Sequence, residues 1–371
     1  MLRVECIRDT AVLESLKPDW DRLAHGSVMR GFSWQAAWWD AYRDSCKLHV
    51  LVAYRDDRIC GLLPLSETYS AWTGRTLVFI GSGKVCSDDL GILVDEIERD
   101  EVADAFATFL VESKNCCRWD HLNLDGIRES DLGMLRFGRM LKLLNGAEIE
   151  YKASPNCWVA SLEGGEEAYR KRLSKRARKI LSEAFEEVES GRSQFEVAQT
   201  LPQAHAFAKE IERMHQSRWK ERGIQGCFTE HGFTDFLQHA IERLWHDPVE
   251  GVQQRILISL LRIDGNCAAG SICIRDRESM MVYLTGMDPD FSEQRPGWQV
   301  NACSIHHAIQ TGCLRYDLLR GDEDYKERLG CEPVVQQRWL IPSSRLVSQV
   351  RHAAYKTAVQ MRSWWRPPTP A

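Results

Sequence analysis

One order of elements occurs twice in this chain, and that repetition constrains the fold more than any single motif. In the first half, residues 3–7 read as a strand, and 12–23 and 34–42 carry helical spacing. A strand at 48–54 meets a turn signal at Asp56-Asp57 and a partner strand at 59–66. Strands at 77–80 and 90–94, a helix at 102–111 and a strand at 119–124 complete the series. The second half repeats it: strand 195–198, helices 202–222 and 233–245, then strand 255–263, Asp264-Gly265 and strand 267–274. Strand 280–285, helix 297–310 and strands 314–319 and 334–341 follow. A twofold order of this kind implies an internal duplication of two mixed α/β layers. The expected domains are 1–155 and 156–345, with a basic Trp-containing tail at 346–371.

Length supports two domains, since 371 residues are enough for two cores. A net charge of −5 gives no global reason to expect DNA. Thirteen cysteines follow no disulfide rhythm, Cys116-Cys117 being adjacent, so reduced thiols in a cytoplasmic protein are expected. Residues 1–10 carry Arg3, Glu5, Arg8 and Asp9 and therefore lack an apolar signal core. Apolar runs fall short of the roughly 20 residues that span a bilayer. No HExxH or paired Cys/His spacing suggests a metal, and His306-His307 are adjacent, about 100° apart on a helix.

The densest polar cluster follows an apolar strand directly: Arg320-Gly321-Asp322-Glu323-Asp324-Tyr325-Lys326. In open α/β sheets the ends of strands face a crevice. Carboxylates, a phenol and two cations are the parts that acyl transfer to an amine or hydroxyl needs. The bland reading, a solvated turn with an Asp-based helix cap, weighs equally on spacing alone. Upstream, Arg295-Pro296-Gly297 opens a helix, whose free N–H groups and dipole suit a phosphate.

The run from Arg295-Pro296-Gly297 through Tyr316-Asp317-Leu318-Leu319 to Lys326 resembles the C-terminal signature of CelD-like acetyltransferases of the GNAT superfamily, relatives of the Fem-type aminoacyl transferases. Arg295 stands where Ser is usual and Leu318 where Phe is usual. In the first half, Trp20, Phe32-Ser33-Trp34-Gln35, Gly61-Leu62-Leu63-Pro64-Leu65 and Asp88-Asp89-Leu90-Gly91 resemble the same family, with Asp89 in place of an aromatic residue.

The resemblance implies two tandem GNAT-like domains and an acyl-CoA-dependent N- or O-acetyltransferase acting on a sugar or saccharide precursor. The alternatives are an aminoacyl-tRNA-dependent Fem-type transferase and a non-catalytic accessory protein of polysaccharide synthesis. Arg295, Pro296, Gly297, Trp298 and Gln299 are the implied donor site, although of the usual GNAT phosphate loop only Gly297 is supplied. Tyr325 is the expected proton donor to the leaving thiolate. Asp322, with Glu323 second, is the expected base, and Lys326 the expected oxyanion or phosphate contact. Asp88, Asp89, Asp317 and Arg320 are the expected acceptor-binding residues.

Two basic stretches remain. Residues 170–179 hold seven cations in ten positions, and the tail from Arg345 has five Lys or Arg and no acid, ending near Trp364-Trp365-Arg366. Either suits peripheral contact with an anionic membrane. RNA is not expected, since no aromatics interleave with the cations.

Overall fold

A computed structural model describes residues 2–364, apart from 113–117, 147, 222, 224, 248–251 and 253. In chain order the elements of the first part are β1 (Arg3–Ile7), α1 (Thr10–Leu13), α2 (Lys17–Leu23), α3 (Phe32–Tyr42), β2 (Lys47–Arg55), β3 (Arg58–Ser70), β4 (Gly74–Phe79), β5 (Leu93–Val94), α4 (Arg99–Glu112), β6 (His121–Arg128), α5 (Leu132–Asn145) and β7 (Glu150–Ala153). There follow β8 (Cys157–Ser161), α6 (Gly165–Arg172), α7 (Lys175–Glu189), β9 (Ser193–Val197), α8 (Leu201–Glu221), α9 (Phe233–Trp245), β10 (Ile256–Ile263), β11 (Asn266–Arg275), β12 (Ser279–Met287), α10 (Pro296–Gln310), β13 (Arg315–Arg320), α11 (Asp324–Arg328), β14 (Glu332–Val334), β15 (Gln336–Pro342) and α12 (Leu346–Trp364).

The chain divides into two compact units, each with its own mixed sheet. In the first unit the strand order is β1-β2-β3-β4-β6-β15-β7, with β5 beside β3. In the second it is β14-β8-β13-β12-β11-β10-β9. Both sheets contain an antiparallel meander that ends in one parallel junction, β4 with β6 and β12 with β13. The repeated order read from the sequence is thus present as two α/β units of the same plan.

The hairpin turns carry this duplication down to backbone dihedrals. Asp56 and Asp57 both have positive φ, as do Asp264 and Gly265. Two left-handed residues in a two-residue loop match the right-handed twist of the flanking strands.

Each unit has its own core. In the first, Val102, Phe106 and Leu110 of α4 and Met134, Phe137 and Leu141 of α5 bury against Leu63, Leu77, Leu122 and Trp339 of the sheet. Spacings of three and four residues give both helices one apolar face. In the second, Leu181 and Ala184 of α7 and Ala302, Ile305 and Ala308 of α10 pack with Met280 and Tyr316.

The unit boundaries differ from those expected. Gln336–Ala371 belongs with the first unit, because β15 pairs with β6 and β7, and Gly26–Ala41 belongs with the second. Trp34 of α3 explains the latter: its ring meets Tyr283 and Phe236 edge-on, both at 4.9 Å. The basic stretch 170–179 is also not one helix. It breaks at Leu173, and Ser174 caps α7 by accepting from the Ala177 N–H. Arg170, Lys171 and Lys179 pair with Glu166, Glu167 and Glu183, while Arg172 donates to carbonyls of Ser161 and Glu163. Among the described residues no helix is long and apolar enough to cross a membrane.

Candidate active site

Parallel pairing of β12 with β13 covers three residue pairs and stops: Ser279 with Arg315, Met280 with Tyr316, Met281 with Asp317. Beyond Met281 this ladder has no further rungs, although β12 continues to Met287. An extra residue, Tyr283, interrupts the pairing with β11, since Ile272 opposes Leu284 while Cys273 opposes Val282. Bulges bend a strand and re-aim its side chains.

A cavity of about 470 Å³ lies at this end of β12. Its walls include Thr285 and Met287 of β12, Arg295, Gly297 and Asn301 around the start of α10, Arg218 and Glu221 at the end of α8, and Tyr325 of α11. Every wall residue belongs to the second unit.

The start of α10 is set by Arg295, which adopts a left-handed backbone as N-cap, and by Pro296 in the first turn. Proline suits that position because its missing N–H has no helical partner there. Gly297 packs closely here: a Cβ at this position would meet the Met287 sulfur, so the Met287 side chain would have to shift. The glycine therefore lets α10 sit directly on β12 and brings the helix N-terminus to the cavity wall. Trp298 lines the cavity as well. Gln299 does not; it is buried and donates to the Gln294 carbonyl at 3.0 Å. Asn301 accepts from the buried Tyr316 hydroxyl at 3.1 Å and donates to the Gly297 carbonyl at 2.8 Å, fixing the first turn of α10 to β13.

The polar cluster after β13 splits into different roles. Tyr325 faces the cavity, and burial, reinforced by the Glu323 charge, pushes its hydroxyl up to about 12. The phenol is neutral and carries its proton throughout the physiological range. Lys326 corrects the expectation of an oxyanion contact. It is buried, and its ammonium donates to the carbonyls of Leu319, Arg320 and Gly321 at 3.0–3.1 Å and pairs with Glu323 at 3.0 Å. Its protons are committed to its own chain, and it does not line the cavity.

Asp317, expected to bind acceptor, is buried and accepts from the Leu319 N–H at 2.7 Å. Asp322 is exposed, off the cavity wall, and accepts from Trp158 Nε1 at 3.1 Å and Asn156 Nδ2 at 3.3 Å. Glu323 is held by Lys326. Arg320 ends β13 and is likewise off the wall. Asp88 and Asp89 lie in the first unit, where Asp89 pairs with Arg128 at 3.1 Å and Asp88 is buried.

Sequence reasoning missed Arg218, Glu221 and Asp288 on the cavity wall. Asp288 is committed: it pairs with Arg213 at 3.2 Å and caps Asp290. Glu221 ends α8 on the same wall. Nothing local marks it, since it is one acid in a charged helix end. Among the described residues no cluster of His, Cys, Asp and Glu could hold a metal ion.

Residues 168–327 match the family described as acetyltransferase (GNAT) domain. This stretch is an acyltransferase domain. The matched segment runs from α6 to α11 and so contains the end of the β12–β13 ladder, the α10 turn and Tyr325. The chain is also similar in fold to FemX, with a TM-score of 0.66 at 10% identity, over 93% of this chain and 99% of that one. It resembles L-PGS from Bacillus licheniformis, with a TM-score of 0.53 at 12% identity, over 94% of this chain and 96% of that one. A tandem GNAT protein from the clavulanic acid biosynthesis pathway matches with a TM-score of 0.50 at 11% identity, over 93% and 99%. At such identities these likenesses speak of fold alone, and they agree with two tandem GNAT-like domains. No curated protein matches the acyltransferase in sequence.

Proposed function

We propose that this acyltransferase takes its acyl group from acyl-CoA and transfers it to an amine or hydroxyl of a saccharide precursor. The observation that carries the donor reading is the cavity between the end of β12, the N-terminus of α10 and Tyr325. Past its last rung with β13, the edge of β12 faces the cavity and can take an extended amide-bearing arm alongside it. A helix N-terminus with Arg295 beside it favours a phosphate. A neutral phenol offers the proton that a departing thiolate needs.

In this reading the acceptor nitrogen or oxygen attacks the thioester carbonyl and loses its proton to the Glu221 carboxylate. The tetrahedral intermediate collapses, the C–S bond breaks with its electron pair on sulfur, and Tyr325 donates its proton to the thiolate. Phenolate then regains a proton from solvent while the Glu221 carboxyl gives up the one it took, which restores both groups. Asp322 is not the base here, because its hydrogen bonds to Trp158 and Asn156 hold it off the cavity wall. The saccharide acceptor rests on the resemblance of the Arg295-to-Lys326 block.

The test is turnover. Purified protein is incubated with acetyl-CoA and a panel of amino sugars and sugar alcohols, and free thiol is measured. A parallel arm supplies aminoacyl-tRNA. Acceptor-dependent thiol release supports the reading; transfer from aminoacyl-tRNA with none from acetyl-CoA overturns it.

A further inference from the structure

The last helix packs the wrong way round for a helix whose outer face meets water. Its inward side is polar: Ser348 is buried and bonds to Asp120 at 2.8 Å, and His352 pairs with Glu150 at 3.3 Å. Its outward side is aliphatic: Leu346, Val347 and Val350 are 76%, 61% and 60% exposed. Ala353 and Ala354 extend the stripe and are exposed too. A surface helix ordinarily shows the reverse arrangement.

A second exposed apolar element sits beside it in the same unit. The turn joining β3 to β4 carries Trp72, 68% exposed, and Tyr69 at its edge, 71% exposed. This turn abuts α12. The Thr73 carbonyl lies 2.8 Å from His121 Nδ1, and the His121 ring is 5.3 Å from that of His352. At Gly74 even a Cβ would strike Arg351.

Charge selects the occupant of this surface. Residues 345–364 contain no acid. Arg345 and Arg351 share the single carboxylate of Asp120, and Lys356 and Lys152 both reach Glu150, beside which His352 also lies. Cations therefore outnumber carboxylates along the rim of the aliphatic stripe. A second copy of the same face would bring these cations together, which is unfavourable. An anionic bilayer instead takes aliphatic side chains into its acyl boundary, Trp and Tyr at headgroup level, and Arg and Lys on its phosphates.

We propose that the outward face of α12, with Trp72 and Tyr69, docks this protein onto an anionic lipid surface. The docking surface lies wholly in the first unit and uses none of the residues assigned to acyl transfer. Its failure would leave the catalytic reading untouched.

The test is co-sedimentation of the full chain with phosphatidylcholine vesicles, with and without phosphatidylglycerol. Binding is expected only with the anionic lipid, falling as salt rises. Val347→Asp with Val350→Asp is expected to lower the partition coefficient at least ~10-fold, and Trp72→Ala to lower it by a smaller factor. Both positions of the double variant are exposed, and circular dichroism checks that its fold persists. The proposal is overturned by absence of binding, by binding equal on neutral vesicles, or by unchanged binding of the variants. Sedimentation equilibrium adds a further arm: a dimer that the double variant abolishes would assign the face to a second copy instead.

Discussion

The Lys326 ammonium lies 3.1 Å from the carbonyl of Leu319, a residue held at a φ of 52°. A bulky residue in the left-handed region is uncommon, and such strain costs about 1–3 kcal/mol. It persists because Lys326 holds three successive carbonyls while Asp317 holds the Leu319 N–H. Together they turn the chain out of β13 so that α11 presents Tyr325 to the cavity. Lys326→Met removes the ammonium and leaves those carbonyls without a donor. Stability is expected to fall by about 2–5 kcal/mol, read from the urea midpoint. A variant of unchanged stability but lost turnover would return Lys326 to the chemistry.

Tyr325→Phe isolates the proton donor. The ring still fills its place, so affinity for acetyl-CoA is expected to stay within a few-fold while kcat falls ~10²-fold. Because the hydroxyl sits near 12, the wild-type rate is not expected to fall through phenol ionisation below about pH 11. Equal kcat in the two proteins across that range would remove Tyr325 from catalysis.

Gly297→Ala tests the contact that brings α10 to the cavity. The new methyl meets the Met287 sulfur, and overpacking of this kind costs about 1–3 kcal/mol. A thermal melt is expected to show that loss, together with weaker binding of the donor. Adding Met287→Ala removes the clash and should restore part of both. A single variant as stable as the wild type would show that the helix start yields at no cost.

His215 predicts how stability responds to acid. It is buried and accepts the Trp219 indole N–H at 2.8 Å, and burial, assisted by the Arg218 charge, pushes it down to about 4. In the unfolded chain it titrates near 6.5. The unfolded state therefore binds the extra proton between those values, so this contribution is complete above pH 6.5 and is lost as pH falls towards 4. Denaturation midpoints at pH 7 and pH 5 should differ more for the wild type than for His215→Gln, which keeps an acceptor for Trp219.

Much of this was legible from local pattern. Asp56-Asp57 and Asp264-Gly265 marked hairpins because few residue types tolerate left-handed backbone, and Pro296-Gly297 marked a helix start because proline has no N–H to satisfy. Helix α5 carried a signal that the reading passed over: Asp131 caps its start and Gly146 its end. Other features were not local. Gln336–Pro342 joins the first sheet beside β6, some two hundred residues earlier, and nothing within seven residues encodes that partner. Lys326 stands in a run of charges that reads as solvated surface. Its burial follows from the bulge between Asp317 and Arg320, which stacks three carbonyls around one point. The end of the expected tail, from Trp365 on, lies outside the described residues.

Where the donor binds decides the acyl-CoA reading. Calorimetric titration of acetyl-CoA into the full chain is compared with the same titration of Arg295→Glu, which reverses the charge at the α10 turn without touching Tyr325. Saturable binding is predicted, with an affinity between ~1 μM and 1 mM, weakened at least ~10-fold by the substitution. Absence of binding to the wild type, or equal affinity in both proteins, would contradict an acyl-CoA site at the start of α10.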